Sequence, residues 1–237
     1  MKKKISISVV IPFRNEENNL KILIPLILTE IKKNKKFKIN LVLVNDKSTD
    51  NSLEVCKKFN TKYKKILKIK NLKKRGFQTG ALKCGIDTTN SDFIILMDAD
   101  LQDDPAKIKF FLKKIKEKNE LVVGVRVKRK AALILKLGLK IYDYIFYKVL
   151  NRKILTYRAQ YAAYESKFIK NIKMIKNDHR YLIPIAVTRG AKKISMIKLN
   201  LKERKFGKSN YNQYLKSVFG VFEVFKFIYR LKKGYYN

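Results

Sequence analysis

The sequence predicts an α/β fold: a mostly parallel central sheet flanked by helices, with an amphipathic helical extension at its C-terminal end. Three observations predict it. Strand-like and helix-like apolar patterns alternate through the first half, which implies βαβ units. The runs LVLV (41–44) and FIIL (93–96) are continuously apolar, as in strands buried on both faces. Polar clusters follow at once where three of the strand-like runs end, and ligands bind beyond the carboxyl ends of parallel strands.

Taken in order, residues 5–11 are short and β-branched and read as the first strand. Residues 15–33 repeat apolar positions at helical spacing. Residues 40–44 form the second strand, and Asp50 is placed to cap a helix through residue 59. Residues 64–70 alternate as a strand does. Thr79 opens a helix ending near residue 87. Residues 92–97 form a further buried strand. Pro105 sits at the first turn of a helix running to about residue 118. Residues 121–125 are strand-like. In the second half, residues 131–150, 166–175 and 178–188 read as helices, 193–199 as a strand and 209–232 as a C-terminal helix. The expected organisation is a catalytic unit over 1–208 and a basic, aromatic helix over 209–237.

Composition narrows the function. Hydrophobic residues make up 46% of 237, with 14 Phe and 13 Tyr, enough for a sizeable core. Two cysteines and one histidine exclude a disulfide scaffold and a Cys/His zinc site. They fit a reducing, cytoplasmic compartment. Lys and Arg number 56 against 19 Asp and Glu, a formal charge of +37. Such a surface is attracted to anionic lipid, nucleic acid or phosphorylated substrates, whether selected for or a product of compositional drift. The basic residues are spread along the chain rather than gathered into a nucleic-acid-binding motif, so nucleic acid is the weaker reading. No stretch reads as a transmembrane span, because residues 133–150 and 215–231 are interrupted by charge.

The strongest local feature is Met97-Asp98-Ala99-Asp100-Leu101-Gln102-Asp103-Asp104. A buried strand delivers four carboxylates within seven positions. Asp98 and Asp100, at i and i+2, suit a hard divalent ion, Mg²⁺ or Mn²⁺, that also grips a substrate diphosphate. Asp103 and Asp104, just before Pro105, suit a helix cap. The second cluster, Asn45-Asp46-Lys47-Ser48-Thr49-Asp50, can present the Asp46 carboxylate to a base or ribose. The first strand-like run ends in Pro12-Phe13-Arg14-Asn15-Glu16-Glu17.

These segments, together with NLKKRGFQTGALKCGI (71–86), VVGVR (122–126), HRYLIPIAVTRGAKK (179–193) and ERKFGKSNY (203–211), resemble the family-2 glycosyltransferases of GT-A fold. Within that family they are most similar to the dolichyl- and undecaprenyl-phosphate sugar transferases. The resemblance runs from near residue 5 to about 212, and DADLQDDP is its most specific piece. It implies that Pro12, Arg14, Glu16 and Asp46 line a nucleotide pocket and that Gly76 lets the backbone approach the donor. Asp98 and Asp100 hold the metal, with Gln102 beside them. Arg126 faces the sugar or acceptor phosphate. Arg204 and the Gly207-Lys208-Ser209 turn close over the phosphates.

The implied function is metal-dependent, inverting transfer of a sugar from a UDP- or GDP-sugar to a polyprenyl phosphate at the cytoplasmic membrane face. The stretch 156–164 departs from the family pattern beside the acceptor, so another acceptor such as a surface polysaccharide stays open. The lone His179 is expected to be structural, since an ionised lipid phosphate needs no strong base. The aromatic, basic C-terminal helix is expected at an anionic lipid interface.

Overall fold

The computed structural model describes residues 4–126, 133–154, 156–157, 159–200 and 213–237. Within them lie strands β1 (Ser6–Phe13), β2 (Lys38–Asn45), β3 (Leu67–Asn71), β4 (Phe93–Leu96), β5 (Leu121–Arg126), β6 (Ala162–Glu165) and β7 (Ile194–Leu199). The helices are α1 (Glu17–Lys33), α2 (Ser52–Tyr63), α3 (Phe77–Thr88), α4 (Ile108–Lys116), α5 (Leu133–Leu150), α6 (Leu182–Thr188) and α7 (Gln213–Lys232).

The strands form one sheet in the order β3-β2-β1-β4-β6-β5-β7. All pairs are parallel except those of β6, which runs antiparallel to both β4 and β5. The order reverses between β1 and β4, which makes the carboxyl ends of these strands the natural ligand crevice.

Period-two alternation sends strand side chains to two cores. Ile7, Val9, Ile11, Leu41 and Leu43 pack with Leu20, Leu23 and Ile24 of α1 and Phe111 of α4. Val10, Val42, Val44 and Leu96 face the other way, onto Leu82 of α3, Phe146 of α5, Ile185 of α6 and Phe227 of α7. Helices therefore cover both faces, which is why the central strands read as continuous apolar runs. Helix α3 sits close to the sheet because Gly85 faces Val10; a Cβ there would overlap the Val10 Cγ1 methyl.

Two expectations need correction. Helix over 166–175 is confined to a 3₁₀ turn at Ser166–Phe168. Asn171 takes φ 59°, a left-handed conformation that ends any helix there. Strand β6 overlaps the end of the stretch that departs from the family pattern, and no strand was expected there. Ala-Ala-Tyr-Glu is too short and too poor in β-branched residues to signal one. It is specified by its neighbours, since Ala163 lies opposite both Ile95 and Val122.

The C-terminal helix packs on the second core through Val224, Phe227 and Leu231, spaced at helical intervals. Phe227 stacks on Tyr181 at 4.1 Å between ring centroids. Beyond α7, the Tyr236 hydroxyl donates to Asp178 at 2.9 Å, and Arg230 reaches the other oxygen of the same buried carboxylate at 2.9 Å. The opposite face exposes Phe222, Phe225 and Tyr229.

Candidate functional site

The crevice is assembled from turns that follow β1, β2 and β4. After β1, Asn15 adopts φ 54° and its side-chain oxygen accepts the Thr49 N–H at 2.8 Å. Its own N–H donates to the Ser48 hydroxyl at 3.0 Å. Asn45, at the end of β2, accepts from the Ser48 N–H and hydroxyl at 2.9 and 2.6 Å. The Asn15 bonds, which span 33 and 34 residues, lock the two turns together. Asp50 is not the N-cap expected of it: Asn51 holds that position, and Asp50, one residue earlier, accepts the Ser52 N–H at 3.0 Å.

Of the residues expected to line a nucleotide pocket, Pro12 lies on β1 opposite Val44. Arg14 Nε points at the Lys47 carbonyl at 3.5 Å. Glu16 accepts from Asn19 Nδ2 at 2.5 Å, which holds its carboxylate against α1. Asp46 is buried, and its Oδ1 accepts the Gly76 N–H at 2.7 Å. The end of β2 is thereby tied to the first turn of α3.

The acidic loop after β4 has a different role for each carboxylate. Asp98 accepts from Gln78 Nε2 at 3.3 Å, a second link to α3. Asp100 is 9% exposed and accepts the Gln102 N–H at 3.1 Å, turning the chain at Leu101, whose φ is 61°. Asp103 does not cap. It is 3% exposed and pairs with Arg126 from the end of β5 at 3.1 Å. Its Oδ2 is buried without a hydrogen-bond partner among the described residues. Burial pushes its carboxyl pKa up, against the pull of the Arg126 guanidinium. Asp104 takes the capping role, accepting Ala106 N–H at 3.1 Å. Arg204, Lys208 and Ser209 lie outside the described residues.

His179 is buried, and its Nδ1 lies 2.7 Å from the Thr79 hydroxyl. The same hydroxyl accepts the Asn177 N–H at 3.0 Å. Burial, aided by Arg180, lowers the His179 pKa to about 4, so the ring is neutral near pH 7. His179 thus acts as a strut between the first turn of α3 and the loop before α6. Gln78 and Thr79 were not read as site residues in the sequence, where Thr79 marks only the opening of a helix; their signal is position, in the helical turn after Gly76.

A family model for glycosyl transferase family 2 matches residues 8–173. Among curated proteins, the chain is 29% identical over 180 residues to a dodecaprenyl-phosphate galacturonate synthase of Rhizobium johnstonii, covering 75% of this chain and 53% of that protein. It is 29% identical over 206 residues to an undecaprenyl-phosphate 4-deoxy-4-formamido-L-arabinose transferase of Photorhabdus laumondii, covering 87% and 63%. The chain therefore spans between about half and two thirds of the length of these relatives. Among solved structures, it is similar to glucosyl-3-phosphoglycerate synthase from Mycobacterium tuberculosis in complex with UDP. The TM-score is 0.70 at 15% identity, over 94% of this chain and 80% of that one. A mannosyltransferase from Pyrobaculum calidifontis in complex with GDP-Man and Mn²⁺ matches with a TM-score of 0.62 at 13% identity, over 87% and 59%. With the family model covering most of the sheet and the crevice, this chain belongs to glycosyl transferase family 2 and has its GT-A fold.

Proposed function

We propose that this chain transfers a sugar from a nucleotide-diphospho-sugar to a polyprenyl phosphate at the cytoplasmic face of a membrane, with inversion and with a divalent metal. The observation that supports the reading is that the start of α3 is bonded both to Asp46, at the end of β2, through Gly76 and to Asp98, after β4, through Gln78. The names of the curated relatives support the acceptor class.

Asp98 and Asp100 fit Mg²⁺ or Mn²⁺ by the chemistry of their hard oxygen donors. Among the described residues, no group of three or more His, Cys, Asp or Glu side chains could hold a metal. Two aspartates sharing an ion with a donor diphosphate match that donor set. When bound, the ion supplies charge neutralisation to the leaving diphosphate.

The chain's own residues position the reactants. Asp46 accepts from the donor's base or ribose, and its hold on Gly76 brings the α3 backbone to the donor. Arg126, fixed by Asp103, presents a cation to phosphate at the end of β5. The acceptor phosphate oxygen attacks the anomeric carbon. The bond from that carbon to the diphosphate oxygen breaks, and the nucleoside diphosphate leaves with the electron pair. No proton moves, because the acceptor phosphate is already ionised. Catalysis rests on bringing two anions together and stabilising the departing charge. A buried, neutral His179 agrees with a reaction that needs no histidine base.

Membrane contact is assigned to α7. Its outer face carries exposed Phe222, Phe225 and Tyr229 beside Lys226 and Lys232. No described helix is long and apolar enough to cross a membrane. An aromatic, basic face of this kind suits the headgroup region of an anionic leaflet.

The test is transfer itself. Labelled UDP-sugars and GDP-sugars are incubated with Mn²⁺ and anionic vesicles containing undecaprenyl phosphate. Label extracted with the lipid supports the reading. Label found only in a water-soluble saccharide, when one is supplied, refutes the acceptor.

A further inference from the structure

A cleft of about 590 Å³ adjoins the crevice at Gly76 and runs between the first turns of α3, the loop before α6 and Glu223 of α7. Its size is that of a small-molecule site. We infer that this cleft is the head-group pocket for an isoprenyl phosphate, with Lys176 and Arg180 holding the phosphate and Phe77 meeting the first isoprene units. The inference rests on the acceptor class proposed above and assigns it a place.

Charge is the first argument. Lys83, Lys176 and Arg180 line the cleft against one carboxylate, Glu223. Lys83 is tied to Asp87, and Arg180 lies 3.5 Å from Glu223. Lys176 is exposed and forms no ion pair with a described residue. A phosphate monoester entering here meets a net positive wall.

The second argument is the apolar wall. Phe77 is 54% exposed and takes φ 52°, a conformation that costs a bulky L-residue roughly 1–2 kcal/mol. Arg75 lies over its ring at 4.4 Å from the centroid. Exposed Ile175 lines the same cleft. Inorganic phosphate leaves this apolar surface unused. An isoprenyl phosphate uses both the cations and the rings.

Position is the third. Gln78, which follows Phe77, lines the cleft and donates to Asp98. Gln78 thus links the wall of the cleft to the acidic loop. On the far side, Glu223 follows Phe222, whose ring is 65% exposed on the face assigned to lipid. The chain of an isoprenoid can leave the cleft along that helix. The cleft is also held open: Asn177 Nδ2 donates to Glu223 at 2.6 Å, and Arg230 and Tyr236 fix Asp178. Such preorganisation lowers the cost of binding.

The experiment is calorimetric titration of farnesyl phosphate, with inorganic phosphate in a parallel arm, onto wild type, Lys176→Glu, Arg180→Gln and Phe77→Ser. Melting temperatures check that each variant is folded. UDP and GDP with Mn²⁺ are titrated onto the same samples. The expected result is a loss of farnesyl phosphate affinity of roughly tenfold or more in Lys176→Glu and Arg180→Gln, the size of one charge-assisted contact. Phe77→Ser weakens farnesyl phosphate and leaves inorganic phosphate unchanged, while nucleotide affinity stays within about twofold of wild type in all three. Equal farnesyl phosphate binding by wild type and all variants overturns the cleft and leaves the proposed function standing. Parallel loss of nucleotide shows that the cleft belongs to the donor and also overturns it. Inorganic phosphate binding as tightly as farnesyl phosphate removes the isoprenyl part. A wild type that binds no farnesyl phosphate refutes the cleft and the acceptor class together.

Discussion

The Gly76 N–H donates to the buried Asp46 carboxylate at 2.7 Å, joining the end of β2 to the start of α3 across thirty residues of chain. Two substitutions separate this structural role from the donor role proposed for the same carboxylate. Asp46→Ala leaves a part-buried N–H unpaired, at a cost of about 1–3 kcal/mol in stability. Asp46→Asn keeps an oxygen for Gly76, so its urea midpoint stays near wild type while its nucleotide affinity falls. Equal loss of nucleotide affinity and stability in both variants contradicts a donor role.

Helix α3 offers a paired test of how closely it meets the sheet. A Cβ on Gly85 overlaps Val10 Cγ1 and comes within 3.1 Å of Val44 Cγ2. Gly85→Ala is expected to lower stability by about 1–3 kcal/mol, as overpacking does. A Cβ on Gly80 of the same helix meets nothing within 4 Å. Gly80→Ala should be neutral or stabilising by up to about 1 kcal/mol, from helix propensity and lower unfolded-state entropy. Thermal melts of the two variants check both signs.

His179 sets a pH dependence. Its pKa is depressed to about 4 in the folded state, against an ordinary value near 6.5. The folded state thus disfavours the protonated ring. Its contribution to stability is complete above pH 6.5 and is lost as pH falls toward 4, by about 3 kcal/mol in total. His179→Gln removes this loss. Unfolding free energies measured by urea from pH 7.5 to 4.5 should show the gap between wild type and variant shrinking with acidity. A constant gap contradicts the buried neutral ring.

The two faces of α7 allow the proposed membrane contact to be tested apart from packing. Replacing Phe222, Phe225 and Tyr229 together by Ser should reduce co-sedimentation with anionic vesicles while leaving stability nearly unchanged, as surface substitutions do. Phe227→Ala, on the buried face, should cost about 3–5 kcal/mol. Vesicle binding that survives the triple substitution refutes the assigned face.

Much of the fold was legible because the central strands are buried on both faces. That burial forces the continuous runs LVLV and FIIL, and the turns between them carry their own polar chemistry. Asp46, Asp98 and Asp100 were readable for the same reason: each follows a strand whose end is fixed by its apolar run. The β6 strand was not readable, because Ala163 is specified by Ile95 and Val122 on either side of it rather than by local propensity. Gln78 and His179 were equally opaque as site elements. Their importance comes from contacts with Asp98 and Thr79 that link distant parts of the chain. The Asp103–Arg126 pair joins two motifs read separately and redirects a residue expected to cap a helix.

The central claim is that Asp98 and Asp100 bind a donor diphosphate through a shared metal. The most direct measurement is calorimetric titration of UDP and of GDP onto wild type and Asp100→Asn, with and without Mn²⁺. Wild type is expected to bind one of the two nucleotides only when Mn²⁺ is present, and Asp100→Asn, folded to the same melting temperature, is expected to lose that dependence. Nucleotide binding of equal strength with and without Mn²⁺, unchanged in Asp100→Asn, would contradict it.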